Sequence, residues 1–293
     1  MDNTMVGKNV VLTGATSGIG LEAASQLAQL GANVIAIGRN EERCQMAMET
    51  IKIRVSDAKI EFLKANVAEQ AEVRRLATEI YQRLQSAGQK LDVLINNAGT
   101  FQYWLTLTQD GFEMQWAVNY LAPFLLTHEL LPLLQAAPRA RVITTSSGSH
   151  YHTRLHWEDI QLRRRYNGLM AYKQTKLADV LFSAEFNRRF DGSVRAFAAD
   201  PALVNTDIGL KADSLIARWI WNIRRKGGIS AEESARGLVF LASEPSIQRS
   251  QHVYWKHGKP KAPSKYALNE EVGRRLWELS EKMCGISAGE MAL

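Results

Sequence analysis

Short apolar runs alternate with longer stretches in which apolar residues recur every three or four positions, and the alternation continues along most of the chain. Asn9-Val10-Val11-Leu12-Thr13 is short and largely apolar, as expected of a strand buried on both faces. The same reading predicts strands at 33–37, 59–63, 91–95, 141–145, 194–199 and 252–255. Between them, helical periodicity predicts helices at 21–30, 41–52 and 69–86, and a long apolar one at 112–136 that tolerates Pro123 and breaks near Pro132. Further helices are predicted at 172–189, 231–243 and 268–283. Strand followed by helix, repeated without a linker or internal repeat, predicts an α/β protein. It forms one domain over 1–293, a doubly wound parallel sheet of about seven strands flanked by helices.

Composition narrows the class without naming a function. With 46% hydrophobic and 23% charged residues, the 293-residue chain is of ordinary globular composition. Its formal charge of +6 is spread out, with clusters at Arg163-Arg164-Arg165 and Arg224-Arg225-Lys226. These read as solvated surface or as contacts to an anionic cofactor or membrane, and nucleic acid is not expected as a partner. Cys44 and Cys284, far apart, form no disulfide framework and suit a reducing compartment. No signal peptide precedes Gly14 and no run of ~18 apolar residues occurs, so the expectation is a cytoplasmic protein without a transmembrane helix.

Candidate chemistry collects where the predicted strands end. The first strand runs into Gly14-Ala15-Thr16-Ser17-Gly18-Ile19-Gly20 and then a helix. In that context glycines let the backbone approach a pyrophosphate while the helix N-terminus offers free N–H groups, as in a Rossmann dinucleotide site. After the second strand stands Arg39, where an NAD-selective site usually has an acid; the nearest carboxylate is Glu41. A guanidinium matches a phosphate in charge and geometry, so NADP(H) is preferred over NAD(H). Asn66-Val67 follows the third strand, where an adenine ring could rest, and Asn96-Asn97-Ala98-Gly99 the fourth. The fifth delivers Ser146 and Ser147 to the sheet edge that binds ligands. His150, His152 and His156 read as loop residues rather than zinc ligands. Tyr172 and Lys176, at i and i+4, share one helix face, where an ammonium favours the phenolate and suits the Tyr to acid/base work.

Taken together, Thr13-Gly14-x-x-x-Gly18-x-Gly20, Asn96-Asn97-Ala98-Gly99, Asn119, Ser146-Ser147 and Tyr172-x-x-x-Lys176 resemble the short-chain dehydrogenase/reductase family over residues 8 to about 260. Asn119 to Phe124, Ala171 to Ala178 and Gly273-Arg274-Arg275-Leu276-Trp277 are similar to its retinol dehydrogenase-like branch. The resemblance implies a catalytic tetrad of Asn119, Ser147, Tyr172 and Lys176, with Tyr172 exchanging a proton with the substrate oxygen and Lys176 also binding the nicotinamide ribose. Ser147 would hold the substrate oxygen and Asn119 a relay water. The cofactor would be held by Gly14, Thr16, Ser17, Gly18, Ile19, Gly20, Arg39, Asn66, Val67, Asn97, Ala98, Gly99, Tyr172, Lys176, Pro201, Val204 and Thr206. Two positions depart from the family pattern: Asn66 stands for its usual Asp and Pro201-Ala202 for its Pro-Gly.

These features predict an NADP(H)-dependent oxidoreductase acting on a bulky apolar alcohol or carbonyl compound. The alternatives are a non-catalytic NADP(H)-binding regulator or scaffold and a protochlorophyllide-reductase-like C=C reductase. The segment 207–230, rich in Leu, Ile and Trp, is expected to be a lid and substrate wall, with a packed helix or a peripheral membrane contact through 215–226 as the other readings. Homo-oligomerisation is compatible with all of them.

Overall fold

The computed structural model describes residues 4–190, 194–201 and 229–287. Almost all of the expected lid, together with Val204 and Thr206, lies outside the described residues. Strands β1 (Asn9–Thr13), β2 (Asn33–Gly38), β3 (Ile60–Lys64), β4 (Val93–Asn96), β5 (Ala140–Thr145), β6 (Val194–Asp200), β7 (Tyr254–Lys256) and β8 (Lys259–Pro260) form one sheet in the order β3-β2-β1-β4-β5-β6-β7-β8. Pairings from β3 to β7 are all parallel, and β8 adds a two-residue antiparallel edge. Eight strands therefore stand where about seven are expected, the extra one being a short polar hairpin arm.

Both faces of the sheet are covered, which is why its strands read as continuous apolar runs. Side chains alternate between two cores: Val10 and Leu12 belong to one, Val11 to the other, and likewise Val93 and Ile95 oppose Leu94. The first core is roofed by α1 (Gly18–Gln29), α2 (Glu41–Arg54) and a helix at Ala231–Ser243, designated α8. The second is roofed by α3 (Gln70–Ser86), a composite helix at 114–135, α7 (Gly168–Arg189) and α9 (Glu270–Met283).

The long apolar helix expected at 112–136 is segmented. A short α4 (Met114–Trp116) passes into a π turn (Ala117–Leu121), then α5 (Ala122–Glu129) and α6 (Leu131–Gln135). In the π turn Ala122 N–H donates to Ala117 O, five residues back. Pro123 and Pro132 each fall in the first turn of a helix, where a missing N–H costs nothing. The helix carrying Tyr172 starts at Gly168, capped by the Asn167 side chain, so Tyr172 stands in its second turn.

Helix α9 locks this side of the molecule. Trp277 is buried, stacks on Phe182 with ring centres 5.8 Å apart and meets Phe124 edge-on at 5.0 Å. It thereby ties α9 to α5, which continues the π turn bearing Asn119, and to α7, which bears Tyr172 and Lys176. Trp277→Ala is expected to cost about 3–5 kcal/mol of folding stability, whereas Ile53→Ala, at a residue 85% exposed, should change it by less than ~0.5 kcal/mol; urea denaturation of the two variants checks the contrast.

Candidate active site

Strand order reverses between β1 and β4, and at such a switch point open parallel sheets bind ligands beyond the C-terminal ends of their strands. Thr13 Oγ1 accepts hydrogen bonds from the N–H groups of Asn97 and Ala98, both at 3.0 Å. Asn97 Nδ2 donates back to Thr13 O at 3.1 Å and Gly14 O at 3.3 Å, and Thr145 Oγ1 donates to Asn97 Oδ1 at 3.4 Å. One amide thus joins the ends of β1, β4 and β5. The approach is close enough to require glycine. Gly14 has φ 71°, and a Cβ there would lie 2.8 Å from Ala98 Cα; at Gly20 a Cβ would lie 2.1 Å from Gly14 O.

The glycine loop leads directly into α1. Ser17 occupies its N-cap without a side-chain capping bond, so the first N–H groups of the helix remain for an external acceptor. Thr16 fills the space over Gly38, where a Cβ would lie 2.4 Å from Thr16 Cγ2, and Arg39 follows at the surface. Asn66 is engaged locally: its Nδ2 donates to Glu69 Oε1 at 2.7 Å and its Oδ1 accepts from Ala68 N at 3.3 Å. Val67 packs against the core, and Pro201 O accepts from the Ser234 hydroxyl at 2.6 Å.

The candidate catalytic groups gather where α7 crosses the end of β5. Lys176 is 5% exposed, and its Nζ donates to Thr145 O at 2.7 Å and to Asp179 Oδ2 at 3.0 Å. The same Nζ lies 5.7 Å from the centre of the Tyr172 ring, which meets Phe101 edge-on at 5.8 Å. Buried Asn119, on the π turn, accepts from Thr100 N–H at 2.7 Å and donates to Thr100 O at 3.0 Å and to Thr175 Oγ1 at 3.2 Å. It therefore ties the loop after β4 to α7 beside Lys176.

The two serines divide their work. Ser146 is buried and its hydroxyl donates to Lys176 O at 2.7 Å, which commits it to holding α7 against β5. Ser147 is partly exposed; its Oγ accepts from Ser149 N–H at 3.1 Å and lies 3.2 Å from Ser149 Oγ. Only Ser147 can turn its hydroxyl toward a ligand without releasing a helix.

Two site residues escape sequence reasoning. Asp179 is completely buried, and its carboxyl is pushed up to about 7 by burial, against the pull of the Lys176 ammonium. His150, read as an ordinary loop residue, is completely buried behind Ser147: its Nδ1 lies 2.8 Å from Ser147 O and its Nε2 accepts from Ser264 N–H at 3.2 Å. Burial pushes its imidazole below the usual histidine range, so the neutral ring spans the two segments, Nδ1–H donating. In sequence Asp179 is marked only by standing three residues after Lys176, and His150 by standing three after Ser147.

The glycine cradle, the strand-end asparagines and the Tyr–Lys pair on one sheet edge are the parts of a short-chain dehydrogenase, and residues 8–214 match that family's model, described as short chain dehydrogenase. The chain belongs to this family, in its retinol dehydrogenase-like branch. It is 34% identical to mouse (Mus musculus) retinol dehydrogenase 14 over 295 residues, covering 96% of this chain and 87% of that one. It is also 34% identical to human (Homo sapiens) retinol dehydrogenase 13 over 295 residues, covering 97% and 87%. A crystal structure of an uncharacterized protein from Mycobacterium paratuberculosis superposes with a TM-score of 0.71 at 31% identity, covering 96% of this chain and 95% of that one. The family uses NAD(P)(H), and the start of α1 directly after the glycine loop, with no side-chain cap on its first N–H groups, fits the phosphates of such a group.

The histidine brace has a pH signature. A base whose folded-state value is depressed stabilises the fold above the ordinary imidazole value and loses that contribution as pH falls toward the folded one. His150→Ala should therefore lower stability by about 1–3 kcal/mol at pH ~8, with the gap to wild type closing as pH falls below ~6.5; denaturation midpoints across that range provide the check.

Proposed function

We propose that the protein is an NADP(H)-dependent oxidoreductase interconverting a bulky lipophilic alcohol and its carbonyl partner. The observation that carries this reading is the Lys176 ammonium, buried at the end of β5 and held 5.7 Å from the centre of the Tyr172 ring. A binding protein has no use for a desolvated cation beside a phenol, whereas proton transfer has: the positive charge favours the phenolate as it forms. The bound nicotinamide would exchange hydride with the substrate carbon. Tyr172 Oη would deliver a proton to the carbonyl oxygen, or take it from the alcohol. Ser147 would donate to the same oxygen, stabilising charge that develops there. Of the three Lys176 donors, Thr145 and Asp179 use two, and the third is available to a ribose hydroxyl. Asn119 keeps the loop at Thr100 and α7 aligned around this point.

Cofactor choice and substrate class rest on separate features. Exposed Arg39 at the end of β2, with no acid in its place, supports NADP(H), as a guanidinium pairs with a 2′-phosphate. Substrate character follows from the aromatic loop beside Tyr172. Tyr103 meets Phe101 edge-on at 4.8 Å, and Trp104 is 74% exposed in the same loop. That apolar approach, with relatives named retinol dehydrogenases, supports a lipophilic alcohol.

Two outcomes test the reading. Tyr172→Phe should leave NADPH binding nearly intact, by fluorescence titration, and lower turnover of a lipophilic carbonyl panel by ~10²–10⁴-fold; near-normal turnover would refute the acid/base assignment. Wild type should bind NADPH more tightly than NADH by about 1.5–3 kcal/mol, a preference that Arg39→Ala largely erases, as read from dissociation constants of both cofactors.

A further inference from the structure

A carboxylate kept for structure alone should have both oxygens hydrogen-bonded, because an unpaired buried charge is costly. Asp179 does not follow this rule. It is completely buried, its Oδ2 takes one bond from Lys176 Nζ at 3.0 Å, and its Oδ1 has no partner. It stands about one helical turn beyond Lys176 on α7. Among the described residues, the titratable group besides Lys176 that senses its charge is Tyr120, from the π turn, whose hydroxyl is paired with Ser280 of α9 at 2.7 Å. From β5 the contact around Lys176 is a backbone carbonyl, that of Thr145.

We infer that Asp179 is a positioning residue for the proposed reaction: its carboxyl anchors the Lys176 ammonium at the end of β5 and governs how much of that positive charge acts on the Tyr172 phenol. This rests on the oxidoreductase reading above. With the carboxyl ionised, part of the ammonium's field is spent on Asp179; with it protonated, the field acts undivided on the phenol. Burial pushes the carboxyl up to about 7, so the division would shift around neutral pH. The direction follows from the same contact. Loss of the negative charge, with the hydrogen bond kept, favours the phenolate and so favours proton abstraction from an alcohol.

Asp179→Asn separates charge from geometry, since the amide oxygen still accepts from Nζ, while Asp179→Leu removes both. The first readout needs no catalysis. A carboxyl raised in the fold binds its proton more tightly there than in the unfolded chain, so the contribution of Asp179 to stability is fully present below ~4. It declines as pH rises toward about 7. Asp179→Asn should flatten that decline in urea denaturation of the cofactor-free protein. The second readout is kcat/KM for NADP⁺-dependent oxidation of retinol between pH 5 and 10. The rising limb should move to lower pH by about half a unit or more in Asp179→Asn, with the gap from wild type widening through about pH 7. Asp179→Leu should lower kcat about 10–100-fold at every pH through misplacement of the ammonium. An unshifted limb in Asp179→Asn, or equal uniform losses in both variants, overturns the positioning role. Absence of wild-type turnover on retinol and other lipophilic alcohols instead overturns the oxidoreductase reading, and the denaturation series shows independently whether the carboxyl titrates as stated.

Discussion

The ends of β1 and β4 must come within van der Waals contact while leaving backbone free for a ligand, and the rest of the site depends on how the chain meets that constraint. Two bonds into Thr13 Oγ1 and two from Asn97 Nδ2 fasten the strand ends together, so the glycine loop leaves from a fixed point. Side chains at Gly14 or Gly20 would collide with Ala98 or with the loop itself, so the loop can pack this closely against the end of β4 only with glycine at both positions. Because Asn97 also receives Thr145, the same knot sets the position of β5, and through Thr145 O that of Lys176.

Helix α7 is the second organising piece, and it is unusual in burying polar groups along its length. Lys176, Asp179, Ser183 and Glu185 are all buried. Each has a use. Ser183 bonds back to Asp179 O at 2.9 Å, Glu185 pairs with Arg188 and Arg189, and Lys176 faces the end of β5. The apolar remainder, Leu177, Val180, Leu181, Phe182 and Phe186, fills the core beneath α5 and α9. A helix so immersed is a rigid mount, and rigid mounting is what a group must have to hold a proton donor to a fraction of an ångström.

Much of the architecture is legible in the sequence because the strands are buried on both faces and leave unbroken apolar runs, as at β1 and β5. Hairpin arm β8 is not legible: Lys259–Pro260 is polar, two residues long and defined only by its partner β7. Nor is the π turn, since Ala117, Tyr120 and Leu121 are apolar around the whole helix and carry no phase. In the site, spacing puts Tyr172 and Lys176 on one face, and the glycine, asparagine and serine motifs along the chain make that pair stand out. Between Ser146 and Ser147 the family resemblance picks the second, but the engagement of the first, whose hydroxyl turns back to Lys176 O, is seen only in the structure. His150 stays hidden because its partner Ser264 comes 114 residues later, and Asp179 because only complete burial distinguishes it from any helical acid.

The π turn gives the long helix a break in phase. Five residues, Ala117–Leu121, take a wider coil than the turns on either side, so α4 and α5 are rotated relative to a continuous helix. Asn119 sits inside this wider coil, its amide reaching both Thr100 and Thr175. A regular helix here would make better backbone bonds but, at about 100° per residue, would swing Asn119 off the line to α7. The turn is therefore a place where local regularity and the alignment of the site pull in opposite directions. Drift toward a perfect helix in this stretch would look like an improvement in the backbone while it disconnected the loop after β4 from α7.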